Sequence, residues 1–249
     1  MNTWVKPPQQ LSLVPHTLQL WAVEIESFLS QAEILAECLS EEEMHQAQRF
    51  VTTQLGNNYI VAHAFLRKIL GAYLGLEASK IKFSTREQGK PCLDPTHHSV
   101  SLEFNMSHTK GLALYGVALT PVGVDVELSR YDMQLEEIAE RFFTPSEYQI
   151  LCALPQAERQ KAFYRCWTLK EAFIKGLGEG LSYGLDKFEV DFVNDGTNCL
   201  KSIKGSSAEV DAWSLQNISY SEDYAAAFAL HDQLQSLQLY AVDALDFIR

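Results

Sequence analysis

Residues 163–181 constrain this chain most: an apolar helical pattern that runs into three closely spaced glycines. Phe163, Trp167, Phe173 and Ile174 recur at roughly helical spacing, which predicts a stripe turned toward a core. Gly176, Gly178 and Gly180 then predict the helix end, because glycine reaches left-handed backbone angles cheaply and is poor in a helix interior. Trp167, Glu171 and Lys175 are four apart and so stack along one face. Lys170, Glu171 and Lys175 place two cations and one carboxylate within about a turn and a half. Such a trio suits a site that holds a metal ion and a phosphate together. It equally suits a surface Glu–Lys pair stabilising the helix by roughly 0.2–0.5 kcal/mol.

A hydrophobic fraction of 47% over 249 residues is enough for one large core or two modest ones. Lys and Arg number 20 against 32 Asp and Glu, a net charge of -12 that argues against generic nucleic-acid binding. It leaves room for a small basic pocket, since net charge says little about a local site. The five cysteines are scattered and form no Cys-x-x-Cys pair, so neither a zinc site nor a disulfide framework is expected. With no signal-like N-terminus and no apolar run of bilayer length, a cytoplasmic protein without membrane contact is expected.

Residues 18–25 read as a first strand. Ser40 and Glu43 fit a capping box opening a helix through Met44, Ala47 and Phe50. Residues 59–76 form a second, apolar helix, and 80–84 alternate like a strand. A turn at Gly89, Lys90 and Pro91 follows, then a loop over 105–111 and a strand over 112–119. Residues 122–127 alternate as another strand, and Thr144, Pro145 and Glu147 mark a helix start. Further strands are expected over 186–192 and 224–230. Each half thus runs through a capped helix, a longer helix, an alternating strand and an Ala-rich strand. This predicts an α+β fold of two similar halves, each a small sheet packed with helices. The halves are 1–120 and 121–249, joined near Thr120 and Pro121.

Asp125 and Glu127 lie two apart on a strand and share a face, where a cation between them would relieve their repulsion. Oxygen donors without Cys or His favour a hard ion, Mg²⁺ before Zn²⁺. The wet face of an amphipathic strand explains the pair as well. Ser107 and His108 can hydrogen-bond phosphate oxygens, or simply belong to a polar loop. Lys90 can serve a ligand or water.

Taken together, Gly89-Lys90-Pro91, Asn105-x-Ser107-His108, Gly123-Val-Asp125-x-Glu127 and Trp167-x-x-Lys170-Glu171-Ala-x-x-Lys175 resemble the 4'-phosphopantetheinyl transferases, in order and spacing. The chain length is similar to the two-half, Sfp-type branch. The resemblance implies two α/β halves with coenzyme A in the cleft between them. It further implies transfer of the 4'-phosphopantetheine arm to a serine of an apo acyl or peptidyl carrier protein, releasing adenosine 3',5'-bisphosphate. Asp125, Glu127 and Glu171 would then hold Mg²⁺. Lys170, Lys175 and His108 would contact phosphates, with Lys175 and Glu171 in the catalytic machinery. Gly89, Lys90, Pro91 and Ser107 would line the nucleotide side. Glu171 resembles the residue that takes the serine proton, and Glu147 is its rival, though Glu147 also fits a capping box. Where many relatives carry a basic residue, this chain has Asn58; Arg49 and Arg67 are the nearby cations that stand in for it. A monomer is expected. The alternatives are a Mg²⁺-dependent hydrolase of coenzyme A or nucleotide diphosphates, and a carrier-binding module without catalysis.

Overall fold

A computed structural model of the chain describes residues 3–98, 102–129, 134–194, 196, 198–204 and 209–243. After strand β1 (Thr17–Glu24) come helices α1 (Ala32–Ala36), α2 (Glu41–Gln48) and α3 (Thr53–Leu74). A hairpin of β2 (Phe83–Thr85) and β3 (Pro91–Leu93) leads to β4 (Glu103–Thr109), β5 (Leu112–Ala118) and β6 (Val122–Leu128). Helices α4 (Leu135–Phe142), α5 (Pro145–Ala153) and α6 (Gln156–Leu177) follow. Strands β7 (Phe188–Val190), β8 (Leu200–Ile203), β9 (Ser214–Ile218), β10 (Tyr224–Leu230) and β11 (Ser236–Val242) complete the α-helices and strands of the described residues, with short 3-10 turns between some of them.

The larger sheet has the order β11-β1-β5-β4 and the second β6-β10-β9. Alternation along β1 shows how they are layered. Trp21 and Val23 pack with α3 residues such as Phe65 and Ile69. Leu18, Leu20 and Ala22 instead join Val122, Val124 and Phe228 of the second sheet. On that sheet's far side, Ala227 and Ala229 meet Ala172 and Phe173 of α6. The order of layers is therefore α3, first sheet, second sheet, α6. A strand covered on both faces is buried and mostly apolar, as β1 is up to Val23; its buried amide, Gln19, donates to the Ser12 carbonyl and to Gln238 Oε1.

The two sheets meet where β4 runs beside β6, and the junction is made by side chains. Asn105 Oδ1 accepts from the Val124 N–H at 2.8 Å, Ser107 Oγ from Val126 at 3.4 Å and Thr109 Oγ1 from Leu128 at 3.4 Å. Every second residue of β4 thus supplies a side-chain oxygen where a ladder carbonyl would stand. This satisfies the buried N–H groups of β6.

Both expected capping boxes form: Ser40 with Glu43 on α2 and Thr144 with Glu147 on α5. Several expectations are corrected. Residues 105–109 are strand β4, not loop, because the alternating oxygens of Asn105, Ser107 and Thr109 bond across to β6. The helix continues through Gly176 and ends at Gly178, whose φ of 79° gives the left-handed cap. Gly176 is there for space, since a Cβ on it would lie 2.8 Å from the Trp213 ring. Phe50 falls beyond the end of α2, and Lys80 and Ile81 precede a shorter strand than expected. The two halves are crossed by β11, which runs parallel to β1 from Thr17↔Ser236 to Val23↔Val242. The last strand of the chain therefore belongs to the first sheet, and a cut at Thr120 does not separate the sheets.

Candidate active site

The site is built where β6 touches α6. A Cβ on Gly123 would stand 2.0 Å from the Ala172 carbonyl oxygen and 2.3 Å from the Gly176 nitrogen. Only glycine lets strand and helix meet backbone to backbone there. That contact sets Asp125, two residues on, against the last turns of the helix. Lys175 Nζ lies 2.5 Å from Asp125 Oδ1 and 3.2 Å from Ser107 Oγ. Ser107 Oγ donates to the same Asp125 oxygen at 2.9 Å while accepting from Lys175 and from the Val126 N–H. A cation, a carboxylate and a hydroxyl thus close a small ring across both halves. Asp125 is only 3% exposed, and its second oxygen, Oδ2, is buried without a hydrogen-bond partner.

Glu171 lies one turn before Lys175 and feels this cluster. Burial raises its carboxyl above the usual range, the Asp125 charge raises it further, and Lys175 pulls the other way. His108 occupies the next β4 position after Ser107, on the opposite face. It is open to solvent yet walled by protein, and this partial desolvation lowers its imidazole, helped by His63 and Lys175. Asp125, Ser107, Lys175 and Glu171 are therefore brought together, with His108 on the other face of β4.

Lys170, expected at phosphates, and Lys90, expected on the nucleotide side, are both placed in the protein interior. Lys170 is 0% exposed and uses three donors inside the protein. It binds the Leu185 and Phe188 carbonyls at 2.7 and 2.8 Å and Glu147 Oε2 at 2.8 Å. Its expected phosphate contact is corrected: the ammonium has no donor left for a ligand. Lys90 is also buried, and its Nζ reaches the Val122 carbonyl at 2.8 Å and the Gly176 carbonyl at 3.2 Å. It fastens the β2–β3 hairpin to the start of β6 and the end of α6, where a cation also suits the helix dipole. Burial lowers its pKa to about 8. Glu147 is 1% exposed; its oxygens accept from the Thr144 and Val190 N–H groups and pair with Lys170. This is a structural carboxylate.

Gly89 sits at φ 90° in the turn ahead of β3, and Pro91 opens that strand. Pro91 lines a cavity of about 880 Å³ together with Thr85, Asn105, Met106, His63 and Glu43. Arg49 is exposed at the end of α2, its guanidinium 3.5 Å from Gln46 of the same helix. Arg67 cannot replace a basic residue at Asn58, because it is buried on Glu43 and on the Ala78 and Ile81 carbonyls.

Among the described residues, no three His, Cys, Asp or Glu side chains converge closely enough to cage an ion. The donor set still fits a hard cation. Asp125 presents an orphaned carboxylate oxygen, Glu127 shares its strand face, and Glu171 is destabilised as an anion by Asp125. Sequence reasoning missed His63 and the part that Gly123 plays. The signal for Gly123 was a glycine inside an otherwise β-branched strand, which marks close backbone approach.

These features define a two-half α/β fold with a polar site where the two sheets and α6 meet. The chain belongs to the 4'-phosphopantetheinyl transferase superfamily: the pattern of that superfamily matches residues 121–229, and that of the 4'-phosphopantetheinyl transferase N-terminal region matches 24–117. The chain is similar to 4'-phosphopantetheinyl transferase HetI of Nostoc sp., 35% identical over 92% of this chain and 94% of the relative. It is similar also to 4'-phosphopantetheinyl transferase Sfp of Bacillus subtilis, 33% identical over 72% of this chain and 79% of the relative. The human L-aminoadipate-semialdehyde dehydrogenase-phosphopantetheinyl transferase is 28% identical over 75% of this chain and 65% of its own length.

Proposed function

We propose that this protein moves the 4'-phosphopantetheine arm of coenzyme A onto a serine of an apo acyl or peptidyl carrier protein. The observation that carries this reading is the ring of Lys175, Asp125 and Ser107, with an orphaned carboxylate oxygen, beside Glu171. Lys175 and His108 face the pyrophosphate, offsetting negative charge as it builds on the phosphoryl oxygens. Glu171, held above the ordinary carboxyl range, takes the proton of the incoming serine. The serine oxygen forms a bond to the phosphorus that carries the arm. The bridging P–O bond breaks, and adenosine 3',5'-bisphosphate leaves. The adenosine end occupies the cavity lined by Pro91, Thr85 and Met106.

Asp125, Glu127 and Glu171 would hold Mg²⁺, which when bound neutralises charge on the pyrophosphate. Ser107 and Lys175 orient Asp125 for that purpose. The carrier docks beside the junction through apolar contacts, because a chain of net charge -12 offers little attraction to an acidic partner. All five cysteines are unbridged, in keeping with a compartment that keeps thiols reduced. Among the described residues no helix is long and apolar enough to cross a membrane.

Intact-protein mass spectrometry tests the reading, using apo acyl and peptidyl carriers incubated with the protein, coenzyme A and Mg²⁺. The expected result is one phosphopantetheine per carrier, lost with EDTA or when the carrier serine is replaced. Coenzyme A cleaved without any gain of mass on the carrier would make the protein a hydrolase instead.

A further inference from the structure

Lys90 carries a buried charge that is answered by carbonyls and by no carboxylate. The residue is 7% exposed, and its Nζ lies 2.8 Å from the Val122 carbonyl oxygen and 3.2 Å from that of Gly176. Among the described residues it has no ion-pair partner, and the charges that act on it, Glu103 and Arg86, oppose each other. An ammonium held inside a protein without a counter-ion is costly. An apolar side chain would fill the space without that cost, so packing does not account for a lysine here.

Both carbonyls belong to the seam that makes the site. Val122 directly precedes Gly123, and Gly176 supplies the nitrogen that Gly123 approaches. Gly176 also lies in the last turn of α6, where carbonyls lack a donor from their own helix. Val122 shares its side of β6 with Val124, Val126 and Leu128, whose N–H groups turn to β4. Pro121, one residue earlier, gives its carbonyl to the His231 N–H on the other side. The lysine thus serves two carbonyls that the sheet and the helix leave over. Its own end is fixed as well. The Lys90 carbonyl closes the β2–β3 hairpin by accepting from the Arg86 N–H at 2.9 Å. Its stem crosses the cap of α6, where a Cβ on Gly178 would stand 3.3 Å from Lys90 Cδ. Phe83, Thr85 and Pro91 of the hairpin line the cavity of about 880 Å³. Asp125 is three residues beyond Val122, and Lys175 directly precedes Gly176. One ammonium therefore ties together the wall of that cavity, the strand of Asp125 and the helix turn of Lys175.

We infer that Lys90 is a positioning residue of the transfer reaction, holding the nucleotide cavity and the Asp125–Lys175 pair in register without touching the substrate. The inference rests on the transferase reading, in which coenzyme A spans those two parts, its adenosine in the cavity and its pyrophosphate beside Asp125. In-line attack depends on that register, and a displacement of about 1 Å can slow a reaction about a hundredfold. Binding depends on it less, since each part keeps its own contacts.

Lys90→Met keeps the length of the stem and removes its donors; Lys90→Gln keeps a shorter donor. Calorimetry gives the affinity of each for coenzyme A. Mass spectrometry of carrier modification gives kcat, at a temperature where circular dichroism shows each variant folded. Lys170→Met is the control, because it too takes a buried ammonium off two carbonyls, away from the seam. The kcat of Lys90→Met should fall about tenfold or more, with an affinity for coenzyme A within about threefold of wild type. Lys90→Gln should lie between the two, and Lys170→Met should stay within a few-fold of wild type. An affinity loss of tenfold or more would make Lys90 a direct ligand of the phosphates. An unchanged kcat in both Lys90 variants would make the clamp one of stability alone. Either result overturns the inference while the wild type remains an active transferase. A wild type that modifies no carrier sinks the transferase reading itself, and the role of Lys90 with it.

Discussion

Lys170 and Glu147 stand 2.8 Å apart, Nζ to Oε2, with side-chain exposures of 0% and 2%. Arg67 and Glu43 repeat the construction in the first half, Nε to Oε2 at 2.7 Å. In each case the carboxylate comes from a capping box, at Thr144 or Ser40. The cation comes from the long helix that follows, and it also binds two carbonyls of the segment beyond that helix. The same device in the same order supports a duplicated chain. It also removes Lys170 from the chemistry.

Lys170→Met should therefore cost stability before it costs rate. It strands Glu147 as a buried carboxylate with its cation gone, a loss of about 3–5 kcal/mol. Urea unfolding should show this as a lower midpoint, and Glu147→Gln should shift it in the same direction. Turnover per folded molecule should stay within a few-fold of wild type. An unchanged midpoint with collapsed turnover would return Lys170 to the phosphates, and the same result for Glu147→Gln would make Glu147 the base.

Glu171 fixes the expected pH dependence. Its carboxyl is raised by burial and by the Asp125 charge, so it becomes a competent base only above the ordinary glutamate range. The acidic limb of the rate profile should lie correspondingly high. Asp125→Asn removes the repelling charge and should move that limb to lower pH, at a much reduced rate. The stability sign is the same as for any raised group. Stability from Glu171 is present below its unfolded pKa and is lost as pH rises through the folded value. A limb that stays in place in Asp125→Asn would show that another group titrates.

His108 should titrate below a free imidazole. Burial is the first cause, and the neighbouring His63 and Lys175 are the next. His63→Gln takes away one of these neighbours, so the His108 pKa should rise; Lys175→Met should do the same. Proton NMR of the imidazole C–H resonances reads both shifts. No movement in either variant would separate His108 electrically from the α3 side of the cleft and from Lys175.

Much of this was legible from local chemistry. Capping boxes, the apolar stripe of α6 and the alternation of Asp125 and Glu127 are written in short-range spacing, which sequence displays directly. What escaped depends on distant partners. Lys170 and Lys90 read as exposed cations until the chain brings the Leu185 and Phe188 carbonyls to one, and the Val122 and Gly176 carbonyls to the other. Strand β4 escaped because Asn, Ser and Thr are loop-forming residues by local preference. Here their oxygens replace ladder carbonyls toward β6. Strand β11 escaped because its parallel pairing with β1 joins opposite ends of the chain.

Gly123 offers the sharpest test of how the fold makes the site. Alanine there would drive a Cβ into the Ala172 oxygen and the Gly176 nitrogen, and neither is a side chain that can turn away. Strand β6 must then move off α6, at a cost of about 1–3 kcal/mol or more. The same movement would separate Asp125 from Lys175, now 2.5 Å apart. Gly56→Ala is the matched control. Its Cβ meets a backbone oxygen too, that of Ala47 at 2.7 Å, but at the contact of α2 with α3. Both variants should melt at lower temperature, yet only Gly123→Ala should lose most of its kcat at temperatures where it is fully folded. Equal kcat values in the two would mean that the approach of β6 to α6 serves stability alone, and that Asp125 and Lys175 find each other without it.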